Sequence, residues 1–229
     1  MIRISTCFEA FKRTTIVFVG LLILPVLSLA QTMAAQTQPA NDLSWLKEFV
    51  GSYGAAGVKD IKWDQHFRAL MESSLRQRQF IWRDHGRLIP LPDLVQTYIG
   101  IPNAVQRNDD GSIAADGCVP HVCELKGMVW IDTAPSVHPR VIFTAMGSVS
   151  GDLDNGSSLA HIWLYSSTVL NWQKMPPSYL LSLTRWWSDA SRYQTVPARV
   201  ALVTLVQPTG EMVDLSPSTL VTGPATIHP

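Results

Sequence analysis

Apolar positions recur along this chain at two spacings, and the spacing changes before its middle. From Asp42 onward, Leu43, Leu46, Phe49 and Val50 fall on one side of a short helix that Asp42 can cap, and Gly51, Gly54 and Gly57 end it. A second helix is expected from Asp64 to about Gln79, because Phe67, Leu70, Met71 and Leu75 follow the three–four spacing of a half-buried helix. Arg68, Arg76 and Arg78 then lie on or near its wet face as solvated side chains. Beyond this point compact apolar runs read as strands: Leu94–Ile99, Leu125–Ile131, Val141–Met146 and His161–Tyr165. Asn108-Asp109-Asp110-Gly111 is a turn signal, and the connections Thr133–Arg140 and Gly151–Ser158 carry the Pro, Gly, Asp and Asn of hairpin loops. Pro176 and Pro177 open a third helix with Tyr179, Leu180, Leu183, Trp186 and Trp187 on its packing side. Trp186 and Trp187 are adjacent, so one of them faces away from the core. Arg199–Val206 is one more strand, and residues 208–229, rich in Thr, Ser, Pro and Gly, read as an irregular tail. The expected fold is α+β: one domain over 42–207, with an antiparallel sheet of about five strands flanked by helices.

The chain has 229 residues, 46% of them hydrophobic and 16% charged, a globular composition. Its formal charge is zero, with no basic excess to mark a nucleic-acid partner and no acidic tail. The first thirty residues read as a secretory signal. Arg3, Lys12 and Arg13 form a positive start, and Ile16–Leu29 is an apolar stretch too short for a comfortable membrane span. Ser28-Leu29-Ala30 places small residues where a signal peptidase reads, which puts cleavage before Gln31. Residues 31–41 then form a mobile leader, and the processed chain is expected in the periplasm, off the membrane.

Export changes the cysteine arithmetic. Of three cysteines, Cys7 lies inside the signal, so the processed chain keeps Cys118 and Cys123. Two cysteines this close in an oxidising compartment read as a disulfide. They bracket Val119-Pro120-His121-Val122. Pro120 fixes its own φ and biases Val119 toward extended geometry, leaving His121 at or near the tip of a stiffened loop. A ring this small adds only about 2 kcal/mol by the chain-entropy model, so shape is its more plausible purpose. Imidazole suits a cleft lined by carboxylates, because it can donate a hydrogen bond from one nitrogen, or from both when protonated.

At these residues the chain resembles the Ivy family, periplasmic inhibitors of vertebrate lysozyme whose hallmark is a protruding C-K-P-H-D-C loop. Here it reads C-V-P-H-V-C, matching both cysteines, the proline and the histidine. A polar turn and strand before the loop, strands with Trp130 and Trp163 after it, and the signal also match, over roughly residues 42–190. The resemblance implies an inhibitor and not an enzyme. Val119, Pro120, His121 and Val122 would form the target-binding loop, with His121 entering the cleft and Cys118–Cys123 holding the loop. It implies c-type lysozyme or a lytic transglycosylase as partner, a possible homodimer, and no cofactor or metal. The chain departs from the family at Val119 and Val122, which replace Lys and Asp and make the rim more apolar.

The residues by themselves leave other readings open. The cysteine pair has two other readings, a structural staple or, with His121, three ligands of a metal site. A secreted hydrolase or thiol-redox protein would use His121 or the cysteines, although no G-x-S-x-G, H-E-x-x-H, Walker loop or dinucleotide fingerprint occurs. His66, His85, His138 and His161 read as structural or solvated, and most of the eight tryptophans read as core.

Overall fold

Among the described residues, the apolar runs Leu125–Ile131 and Val141–Met146 are buried on both sides of the backbone. The computed structural model describes residues 41–52, 54–55, 58–148, 159–192 and 199–218. The expected signal over 1–30, nearly all of the leader and the Gly151–Ser158 connection lie outside them. The first described element is a 3₁₀ helix, Ser44–Phe49, in place of an α-helix; it buries Leu46 and Phe49 and leaves Val50 exposed. Strand β1 is Gly51–Ser52, and a second 3₁₀ turn, Ile61–Trp63, is capped by Asp60.

Helix α1 runs Gln65–Ser74. Asp64 caps it, its carboxylate accepting from the backbone N–H groups of His66 and Phe67 at 2.8 and 3.0 Å. The helix stops five residues before the expected Gln79 because the burial period changes from three–four to two. Leu75, Gln77 and Gln79 are buried while Arg76, Arg78 and Phe80 are exposed, the alternation of an extended segment. The two glutamines are satisfied by backbone: Gln77 donates to the Ser166 carbonyl, and Gln79 bonds to Ile81, Trp82 and Ile89. A small hairpin follows, β2 (Arg83–Asp84) and β3 (Arg87–Leu88).

Residues Leu91–Tyr98 form helix α2, which overturns the expected strand Leu94–Ile99. The density of apolar residues in this run matches a buried strand. Its phase is helical: Leu91, Leu94, Val95 and Tyr98 are buried at three–four spacing, and Pro92 sits in the first turn, where its missing N–H costs nothing.

Strands β4 (Ile101–Arg107), β5 (Ile113–Val119), β6 (Val122–Ile131), β7 (Val141–Ser148) and β8 (Leu159–Ser166) run antiparallel in sequence order. Helix α3 (Pro177–Arg192) then carries the chain across to β9 (Arg199–Val206), which pairs parallel to β8. A parallel pair needs such a crossover. The last strand, β10 (Met212–Leu215), turns back antiparallel on β9. The fold is thus α+β and mostly antiparallel, but the main sheet has eight strands, β1-β4-β5-β6-β7-β8-β9-β10, not about five. The segment from 208 onward, expected to be irregular, supplies one of them.

The two faces of the sheet have separate cores. Val129, Ile131, Phe143 and Tyr165 pack with α1, α2 and the first 3₁₀ helix. Met128, Trp130, Ile142 and Leu164 pack against Tyr179, Leu183 and Trp186 of α3, with Trp187 only half-buried. Burial on both faces is why β6 and β7 read as continuous apolar runs and not as alternation.

Candidate functional site: the β5–β6 hairpin

Strands β5 and β6 are joined by the shortest common hairpin connection. Val119 pairs with Val122, so Pro120 and His121 alone make the turn. Proline at the first central position and a positive φ at the second, 66° at His121, are the requirements of a type II turn. Histidine tolerates this left-handed region better than most side chains. Both turn residues are exposed, and the His121 ring stands at the apex.

The register then shifts. Cys118 pairs with Lys126, while Val119 pairs with Val122, so Cys123, Glu124 and Leu125 bulge out of the ladder. Cys118 and Cys123 flank the Val119–Val122 pair and so lie across the hairpin from one another, joined by a disulfide with Cα atoms 4.9 Å apart, inside the usual range. Of the four expected loop residues, Val119 is buried in the core and Val122 packs half-buried against it. These two side chains root the hairpin, and only Pro120 and His121 face outward. Lys126 is nearly buried below the bulge, and burial pushes its ammonium below the ordinary lysine range, opposed by the carboxylates of Asp116 and Glu124.

Three glycines seat this hairpin on α2. Gly117 and Gly127 face each other across β5 and β6. A Cβ on Gly117 would meet the Ile101 carbonyl oxygen at 2.5 Å, and one on Gly127 would meet the Tyr98 Cβ at 2.7 Å. The bare backbone there lets the end of α2 lie directly on the strands. Gly100, just past α2, receives the Pro120 ring: a Cβ at Gly100 would stand 2.7 and 2.9 Å from the proline Cδ and Cγ. The Gly100 carbonyl accepts a short hydrogen bond from Lys62 Nζ, which also pairs with Asp60 at 3.5 Å. Sequence reasoning missed Lys62 and Gly100. A glycine before a strand reads as a simple stop, and nothing local ties Lys62 to a loop so far along the chain.

The other histidines are dispersed. His66, His85 and His138 are exposed at a helix start and in turns. His161 is half-buried on β8, stacked on Trp163 at 4.1 Å and bonded through Nε2 to the Thr204 hydroxyl at 2.9 Å. Thr204 in turn donates to Asp214 on β10. Burial pulls the His161 pKa below 6.5, opposed by Asp214. Among the described residues no three His, Cys, Asp or Glu side chains converge where a metal could sit. The cleft of about 500 Å³ lined by Asp42, Lys47, Arg107, Asp110 and Thr133 lies at the opposite end of β5 from the tip. Among the described residues no helix is long and apolar enough to cross a membrane.

Fold and hairpin together define an α+β protein that displays a disulfide-closed, histidine-tipped turn. No family model, curated protein or solved structure compared with the chain matches it.

Proposed function

We propose that this chain is an exported protein inhibitor of glycan-cleaving enzymes of the lysozyme class, acting in the periplasm through the β5–β6 tip. The reading rests on one observation: the His121 ring stands exposed at the apex of a two-residue turn whose ends are tied by Cys118–Cys123. The likeness of C-V-P-H-V-C to the Ivy loop supplies the target class.

The chemistry follows from the turn. Enzymes that hydrolyse sugar polymers usually hold two carboxyl groups across the scissile bond. An imidazole N–H offered to an ionised carboxylate forms a charge-assisted hydrogen bond, about twice as strong as a neutral one. Pro120, the disulfide and the buried Val119 have already ordered the backbone, so little conformational entropy remains to be lost on contact. The chain performs no bond chemistry of its own in this reading. It occupies the catalytic groups and excludes substrate.

The test is direct. The purified chain is titrated against a c-type lysozyme and a lytic transglycosylase while glycan release is followed. Inhibition of one or both is expected, and His121→Ala should weaken it by about 30-fold or more, the usual cost of losing an interface hot spot. Absence of inhibition of either enzyme at micromolar chain would overturn the proposal. N-terminal sequencing of the exported chain should begin at Gln31.

A further inference from the structure

A tryptophan outside the hairpin stands on the same rim. Trp63 is 78% exposed, the most exposed of the large apolar side chains among the described residues. A lone exposed apolar side chain needs no explanation. This one is connected to the tip by contacts that fix its place. The Lys62 ammonium lies 5.1 Å from the centre of the Trp63 ring, a cation–π contact, and the same ammonium donates to the Gly100 carbonyl. Gly100 is the residue against which the Pro120 ring packs. Indole, ammonium, glycine and turn form one continuous set.

The backbone under Trp63 is held on both sides. Asp60 caps the 3₁₀ turn that Trp63 ends, and Asp64, the next residue, caps α1. Among the described residues no other aromatic ring pairs with this indole. Ile101, which pairs with Cys118, adds a second exposed apolar side chain, at 43%. The set therefore carries two exposed apolar side chains, Trp63 and Ile101, beside the Lys62–Asp60 pair.

We infer that Trp63 is a second anchor of the contact made by the hairpin, docking on the same target enzyme beside the cleft that takes His121. This inference rests on the proposed function and adds a specificity-determining residue to it. The chemistry fits the partner class. Clefts that bind sugar chains must offer apolar surface to the C–H faces of sugar rings, and an indole presents a flat apolar face with one N–H donor at its edge. Tryptophan is also enriched among residues that dominate interface energies. Its backbone is already held by the caps at Asp60 and Asp64, so contact there costs little backbone ordering.

The experiment uses the full chain with the c-type lysozyme and the lytic transglycosylase of the preceding test. Trp63→Ala should weaken inhibition of the affected enzyme by about 30-fold, and Trp63→Phe, which keeps a flat ring, should recover part of that loss. Acrylamide quenching supplies the second readout. In the parent chain one tryptophan should become shielded when the enzyme is added, and the Trp63→Ala chain should lack that change. If Trp63→Ala inhibits within threefold of the parent while His121→Ala does not, the second anchor is wrong and the hairpin reading stands. If the parent inhibits neither enzyme, the hairpin reading falls and the anchor with it. Because Trp63 lies outside both cores, a Trp63→Ala chain that keeps the parent's urea midpoint but loses inhibition separates contact from folding.

Discussion

The seating of the hairpin tip on Gly100 makes a quantitative prediction. Gly100 is not among the residues with positive φ, so alanine meets no backbone penalty there. The cost is steric. The added methyl would lie 2.7 and 2.9 Å from the Pro120 ring and 2.9 Å from the Thr97 carbonyl oxygen, well inside van der Waals contact. Overpacking of this kind costs about 1–3 kcal/mol, offset by about 0.4–1 kcal/mol from the stiffer unfolded chain. Gly100→Ala should therefore lower the unfolding free energy by about 1–2 kcal/mol. The Pro120 share of that clash can be isolated. In a Pro120→Ala background the ring carbons are gone, and the Gly100→Ala penalty should shrink by about 1 kcal/mol, leaving the Thr97 contact. Urea unfolding of the four chains of this cycle reads the coupling, and the His121 ring proton shifts read displacement of the tip. A Gly100→Ala penalty that is the same with and without Pro120 would refute the claim that the turn rests on Gly100.

Three further outcomes follow from particular contacts. Replacing Cys118 and Cys123 together by serine should cost about 2 kcal/mol in urea unfolding, as expected for so small a ring; a loss above about 4 kcal/mol would mean the bridge holds more than the tip. The His161 pKa lies below its ordinary 6.5, so its neutral form favours the fold; stability should be full above pH 6.5, fall as pH drops through the lower folded value, and do so less in His161→Gln, as read from urea midpoints across that window. Gln79→Ala removes four side-chain bonds to the backbone of the 81–89 segment and should cost about 2–4 kcal/mol, with hydrogen exchange accelerated at Ile81 and Trp82; unchanged exchange there would contradict the role given to Gln79.

What the sequence disclosed divides by distance along the chain. The strands containing Trp130 and Phe143 are buried on both sides, and their apolar runs announced them; the strand of Trp163 alternates buried and half-buried positions over its first half and was read from its shorter apolar run. Strand β4 did not announce itself, because only Val105 in it is buried and Pro102 sits at a register shift that spares the ladder. Strand β10 is short, exposed and at the edge, where little burial shapes composition. Helix α2 was hidden by an apolar run whose density matched a strand and whose phase did not. The hairpin could be read because its chemistry fits within six consecutive residues. Its supports could not: Pro120 rests on Gly100, Lys62 donates to the Gly100 carbonyl, and no local period links a lysine to a carbonyl 38 residues on. The inward turn of Val119 and Val122 was likewise invisible, since the register shift that sets it comes from pairing.

That register shift also explains how so small a loop can be both rooted and exposed. Cys118 and Cys123, the next positions outside the Val119–Val122 pair, face each other across so tight a hairpin whatever follows. The three-residue bulge at Cys123, Glu124 and Leu125 shifts the ladder partner of Cys118 to Lys126, while Leu125 and Val119 enter the core. Rooting is thus carried by buried valine and leucine, and seating by the bare backbone of Gly100, Gly117 and Gly127. The disulfide then governs only the path between Val119 and Val122. A staple confined to that path contributes little to global stability and much to the direction in which His121 points. Reducing it should accordingly leave the two cores intact while loosening the turn that carries His121. Support and display are thus carried by different groups: buried valine, leucine and bare glycine backbone hold the hairpin, and the disulfide sets the path of its turn.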